Sequence, residues 1–164
     1  MSAVKTLLIG LDNPHSRNPA HALLPMPDGA TGHKIVQIIG TVVEGYSASR
    51  YLRDFGRLNL YVGERARSGR GSAATDRLLA SMAMQVLSEG GYLHAVLFGK
   101  RVQDAFADFM YAERADLLLC LPHPSGRNRW YNNFENKLYA ARLLESLRAN
   151  RTQEVLHHDE PQTN

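Results

Sequence analysis

The sequence predicts an α/β fold, a three-layer αβα sandwich around a four-stranded parallel sheet, and three observations predict it. Four short apolar runs, VKTLLIG (4–10), LNLYVG (58–63), HAVLFGK (94–100) and DLLLCLP (116–122), have the length and bounding residues of buried strands. Stretches with helical spacing separate them, and strands that alternate with helices form a parallel sheet covered on both faces, joined by right-handed crossovers. With 164 residues, 44% apolar and 21% charged, the chain has the composition of a soluble globular domain large enough for its own core.

Each element has a local reason. The first strand stops at Gly10 and is followed by LDNPHSRNPAHALLPMPDGATG, about 22 residues long. An idle connection in a compact domain is shorter, so this loop is expected to carry function. HKIVQIIGTVV (33–43) has helical periodicity, and SASRYLRDF (47–55) predicts a short helix with Ser47 as its N-cap. After the second strand comes ERARSGRG, whose Arg65, Arg67 and Arg70 are expected to be mainly a solvated loop. TDRLLASMAMQVLSEGG is a helix stopped by Gly90 and Gly91. RVQDAFADFMY (101–111) is another. The last, NNFENKLYAARLLESLRAN, is amphipathic through Phe134, Leu138, Ala141 and Leu144. Trp130, Tyr131 and Phe134 are expected to pack that helix onto the core, and Lys34, Arg50 and Arg53 to form solvated helix faces. Residues 1–150 read as one domain and 151–164 as a disordered tail.

Charge and cysteine usage narrow the classes. A net charge of +3 and a pI near 9.2 suit nucleic acid and equally suit anionic small substrates. Cys120 is the single cysteine, so neither a disulfide framework nor a zinc or iron–sulfur cysteine cluster is possible, and the reducing cytoplasm is the expected compartment. No run approaches the roughly 18 apolar residues of a membrane span, and no signal peptide opens the chain. His15, His21 and His33 match no metal-ligand spacing, so no metal is expected. No P-loop, G-x-G-x-x-G or G-x-S-x-G is present, which leaves nucleotide-cofactor and serine-hydrolase readings without support.

Parallel sheets bind ligands beyond the carboxyl ends of their strands. Those ends are predicted at Gly10–Asn13, Asn59–Gly63, Gly99–Arg101 and Pro122–Arg127, which brings Asp12, Asn13, Asn59 and His123 toward one crevice.

These residues carry a resemblance. HPSGRN (123–128) resembles the second signature of the uracil-DNA glycosylase superfamily, closest to the HPSPRN of its single-strand-selective monofunctional branch. GLDNPH (10–15) resembles the first signature, GQDPYH in one branch and GMNPG or GINPG in others; LNL (58–60) is similar to the strand bearing the base-reading asparagine. VLFGKRVQDAF (96–106) resembles the strand–helix unit before the HPS loop, so the likeness covers roughly residues 4–145, in order. It implies a monofunctional glycosylase that hydrolyses the N-glycosidic bond of a flipped uracil or modified pyrimidine. Such an enzyme leaves an abasic site, acts without a cofactor and is expected to be a monomer.

Residue roles follow from the resemblance. His123 donates a hydrogen bond where negative charge develops on the leaving base. Asn59, with a donor and an acceptor on one planar amide, reads the base edge. Asp12 or Asn13 positions the attacking water, depending on which first signature is aligned; the ungapped G-x-D spacing and the electrostatics of a cationic sugar favour Asp12. The bland alternative for both is an Asx-turn before Pro14. His15 and Leu24 fall on the substrate pocket. Ser125, Arg127, Asn128 and Arg129 contact DNA, with Arg127 as the wedge that fills the space of the flipped base. One departure stands out: AHALLPMPDG lacks the aromatic that stacks on the base, so Leu24-Pro25 or His21 must form that wall. A pocket opened for bulky 5-substituted pyrimidines of foreign DNA is one consequence, and a non-catalytic DNA-binding member of the fold is the remaining alternative.

Overall fold

A computed structural model describes residues 4–27, 30–62, 72–112 and 117–148. Arg65, Arg67, Arg70 and the segment 151–164 lie outside the described residues.

The chain forms a four-stranded, wholly parallel sheet in the order β2-β1-β3-β4, from β1 (Thr6–Gly10), β2 (Gly56–Asn59), β3 (His94–Phe98) and β4 (Leu118–Leu121). β1 pairs Leu7 with Gly56 and Gly10 with Asn59 on one side, and Leu8 with Val96 on the other. Burying β1 and β3 on both faces explains why TLLIG and HAVLF are continuous apolar runs instead of alternating ones.

Side chains alternate between two cores. Leu7, Ile9, Ala95 and Leu97 meet α3 (Ala73–Glu89) and α4 (Lys100–Ala105) on one face. Leu8, Val96, Phe98 and Leu121 meet α1 (Thr31–Ile39), α2 (Ala48–Asp54) and α6 (Phe134–Ser146) on the other. The three-layer αβα class is therefore the observed one. The chain leaves β1 in one direction through α1 and α2, then reverses across β1 to β3 through α3. Right-handed crossovers require this change of face with direction, and it opens a crevice between the ends of β1 and β3.

Several boundaries differ from those expected. β2 spans 56–59 rather than 58–63, so Asn59 ends the strand. The first helix starts at Thr31 and ends at Ile39, because Gly40 and the turns after it do not continue it. RVQDAFADFMY breaks at Phe106 into α4 and α5 (Ala107–Met110). Ser47 caps α2 by accepting from Arg50 N, and α3 ends at Gly90, both as the sequence predicts. Phe134 is exposed; Ala140, Ala141 and Leu144 bury the last helix, with Trp130 and Tyr131 packed beside them.

Candidate functional site

The carboxyl end of β1 leads straight into the long loop, and the loop is tied down. Asn13 donates from Nδ2 to the His21 carbonyl (3.1 Å) and accepts from His15 N (3.0 Å), an Asx-turn that spends both ends of its amide on the backbone. Ser16 Oγ meets His21 Nδ1 at 2.8 Å. Asn18 caps a 3-10 turn over Pro19–His21. Further along, the Tyr51 hydroxyl donates to the Leu23 carbonyl and Arg57 to that of Ala22, both at 2.9 Å. At roughly 1 kcal/mol per bond, these contacts offset part of the entropy cost of ordering residues 13–23 of the loop.

The loop roofs a cavity of about 470 Å³ lined by Asp12, His15, His21, Leu24, Thr31 and His123, among others. A smaller cavity of about 180 Å³ adjoins it, sharing Asn13 and Ser16 as walls, and contains Asn59. Gly10 lies against the Asn59 side chain, where a Cβ would come 2.6 Å from Oδ1 and 2.9 Å from Leu23. Only glycine permits this approach at the strand end. Asn59 Oδ1 is buried and makes no hydrogen bond among the described residues. A buried amide oxygen without a donor costs free energy, on the order of 1–3 kcal/mol, unless something brings a donor to it.

His123 follows β4 and projects toward the same cavity. Its Nε2 stands 3.4 Å from Thr31 Oγ1, a long contact that leaves the nitrogen accessible to a closer partner. Its backbone is clamped: Asn128 Nδ2 (3.0 Å) and Ser125 N (2.8 Å) both donate to the His123 carbonyl. The Tyr131 hydroxyl holds the preceding Pro122 carbonyl at 2.6 Å, and Gln103 holds that of Leu121 at 3.0 Å. Burial depresses the His123 pKa first, the Lys34 ammonium depresses it further, and Asp12 opposes both. The imidazole is consequently neutral near pH 7, a hydrogen-bond donor without positive charge.

Asp12, His15, Leu24 and His123 thus share one cavity, Asn13 walls both cavities, and Asn59 lines the smaller one. Asp12 makes no side-chain hydrogen bond among the described residues, so its carboxylate is available where Asn13's amide is not. Leu23, Leu24, Met26 and Pro27 give the cavity an aliphatic lining, to which His21 adds its ring; none of the described residues that line it is Phe, Tyr or Trp. On the outer side, Ser125–Asn128 is a turn closed by Asn128 N to Ser125 O (3.1 Å), with Arg127 exposed on it and Arg129 exposed just beyond. Asn128 differs from the other three DNA-contact candidates. Its amide supports His123 and caps Trp130 N at 3.0 Å, so it is a positioning residue.

Lys34 also departs from the solvated face expected of it: a Cβ on Gly126 would lie 3.2 Å from its Nζ. Thr31, Tyr51, Arg57, Gln103 and Tyr131 support the site without any signal in the sequence, since each acts from a distant element on a backbone carbonyl or a ring. No group of three or more His, Cys, Asp or Glu among the described residues can hold a metal ion, and no described helix is long and apolar enough to cross a membrane. No protein-family model and no curated protein matches the chain.

Proposed function

We propose that this chain is a monofunctional DNA glycosylase that hydrolyses the N-glycosidic bond of a flipped pyrimidine. The observation that carries the reading is the meeting of a neutral histidine and a free carboxylate, His123 and Asp12, in one crevice beside the unpartnered Asn59 oxygen. A flipped uracil offers an N–H to that oxygen and a carbonyl to the His123 donor. As the C1′–N1 bond breaks, its electron pair passes onto the base, and His123 stabilises the resulting anion. Water held by Asp12 adds to C1′ and gives up a proton to the carboxylate, leaving an abasic site and the free base. The carboxylate also stabilises the cationic sugar electrostatically.

A second substrate class has its own support. Uracil has eight heavy atoms and takes the space of three or four waters of about 30 Å³ each. It would fill about a quarter of the 470 Å³ cavity. The volume left over is what supports bulky modified pyrimidines of foreign DNA as the alternative substrate class.

The test is abasic-site formation on single- and double-stranded DNA carrying uracil, hydroxymethyluracil or 5-substituted cytosines. His123→Ala should lower excision by about 10²–10³-fold, and Asp12→Asn by about 10²–10⁴-fold, with DNA binding retained. Asn13→Ala should act mainly on stability. Excision only of bulky bases selects the second class, and silence of the parent chain on every strand overturns the glycosylase reading.

A further inference from the structure

Ser16 lines both the larger and the smaller cavity. Its hydroxyl oxygen accepts from Asn18 N at 3.1 Å and meets His21 Nδ1 at 2.8 Å. The direction of the second contact follows from its neighbours. Asn18 Oδ1 accepts from Ala20 N at 3.0 Å, which leaves Nδ2 to face His21 Nε2 at 3.4 Å. An amide nitrogen only donates, so Nε2 presents its lone pair and the ring carries its proton on Nδ1. That N–H donates to Ser16. The two side chains are therefore not a nucleophile and its base, because a protonated Nδ1 cannot take the hydroxyl proton.

A hydroxyl has two lone pairs and one proton. At Ser16 two N–H donors take the lone pairs, and the proton has no acceptor among the described residues. The helix-capping serines differ. Ser47 faces the Ser49 hydroxyl at 3.1 Å and Ser72 that of Thr75 at 3.0 Å, so each has a neighbour able to accept its proton. An ordinary hydroxyl serves a carbonyl or an amino group equally well by turning. Ser16 cannot turn without losing an N–H contact, so it offers a ligand in the cavity a donor only.

We propose that Ser16 is a specificity-determining donor, oriented by His21 and Asn18, that binds a ring carbonyl of the flipped base; the proposal rests on the glycosylase reading above. It selects 2,4-dioxopyrimidines, uracil and 5-substituted uracils alike, over the corresponding cytosines. In the glycosylase reading one carbonyl goes to His123 and the N–H to Asn59 Oδ1. The N3–H of a uracil lies between two carbonyls, so one carbonyl remains, and Ser16 lines the same small cavity as Asn59. A cytosine carries an amino group at that place. Two donors would then face each other, each without an acceptor. His21 and Asn18 are positioning residues here: they act through Ser16 by denying its oxygen an accepting role.

The experiment measures single-turnover excision of uracil or hydroxymethyluracil from single-stranded DNA by the full chain. Free hydroxymethyluracil and free hydroxymethylcytosine, which match in size and differ at the ring edge, serve as inhibitors. The uracil should inhibit the parent more strongly than the cytosine. Ser16→Ala should slow excision about tenfold and narrow that preference by a similar factor, and Ser16→Thr should keep both. His21→Phe should narrow the preference with the hydroxyl still present, because one lone pair becomes free to accept from the amino group. A loop loosened by substitution weakens both inhibitors alike and leaves their ratio in place. A parental ratio in Ser16→Ala or His21→Phe overturns the donor role, as does a parent inhibited by both bases equally or by neither. Preferred excision of 5-substituted cytosines overturns it too. In each of these cases the parent still excises a base, so the glycosylase reading stands. A parent silent on every strand removes that reading and the Ser16 assignment together.

Discussion

His123 illustrates how an ordinary side chain acquires a specific protonation state. Burial is the largest influence, Lys34 adds to it, and Asp12 works against both, so its pKa sits below the usual histidine value of about 6.5. Two consequences follow, with opposite readouts. Excision should be level through neutral pH and decline only below the ordinary histidine range, where imidazolium replaces the neutral donor. Lys34→Gln should move that acidic limb to higher pH. For stability, the unfolded chain takes up the proton before the folded one does. The contribution of His123 is therefore complete above about pH 6.5 and is lost as pH falls through the lower folded value. Denaturant midpoints measured across pH should show this slope in the parent and less of it in His123→Asn. A rate profile with its acidic limb at or above the ordinary histidine value would contradict the assigned environment.

At the scale of the element, the strand ends do the positioning. Gly99 terminates β3 with φ +90° and faces His123, so that an added Cβ would stand 3.1 Å from the His123 Cβ. Both the left-handed backbone and the contact oppose any other residue. Gly99→Ala should cost about 1–3 kcal/mol in stability and lower the excision rate by displacing the imidazole. Chemical denaturation and single-turnover rates would measure the two effects, and parent-like values of both would remove Gly99 from the support of the site. The same logic explains why the 11–27 part of the loop is not a loose lid. Asn13, Ser16 and Asn18 organise it from within, while Tyr51 and Arg57 hold it from α2 and β2. That Asn13 is structural and Asp12 available is a distinction between neighbours in sequence, made by hydrogen bonds eight residues away and not by the GLDNPH pattern.

For the molecule as a whole, the layer opposite α3 is closed by a buried charge cluster, none of whose members lines the cavity. Arg148, just beyond α6, lies 3.7 Å from the Asp54 carboxylate at the end of α2, with the side chains 3% and 2% exposed. The Tyr46 hydroxyl donates to the same carboxylate at 3.0 Å, and the guanidinium stacks over the Tyr46 ring. Arg148→Ala removes that cation from a buried carboxylate and should destabilise by about 3–5 kcal/mol. Against the 5–15 kcal/mol typical of a domain, this is a large fraction. An equilibrium denaturant midpoint close to that of the parent would show the pair to be energetically idle. Rates of excision, corrected for the folded fraction, should not change.

What the sequence alone determined is the set of local quantities. These are four apolar runs of strand length, the Ser47 cap, the glycine stop at Gly90, and the polar residues placed just after β1 and β4. From these the parallel αβα class follows, since alternating strands and helices have few other ways to cover both faces of a sheet. The tertiary structure decided what depends on distant partners. It moved the second strand two residues earlier, because β2 pairs in register with Leu7–Gly10. It turned Phe134 outward and buried Ala140 and Ala141, because α6 packs closely on α1. It gave Asn128 to the His123 carbonyl, and it brought Lys34 to the back of the turn. Several of these assignments rest on residues far apart in the chain: Lys34 and Gly126, which lie side by side, are 92 positions apart. Local propensity and spacing carry no information at that range, whereas packing and buried charge do.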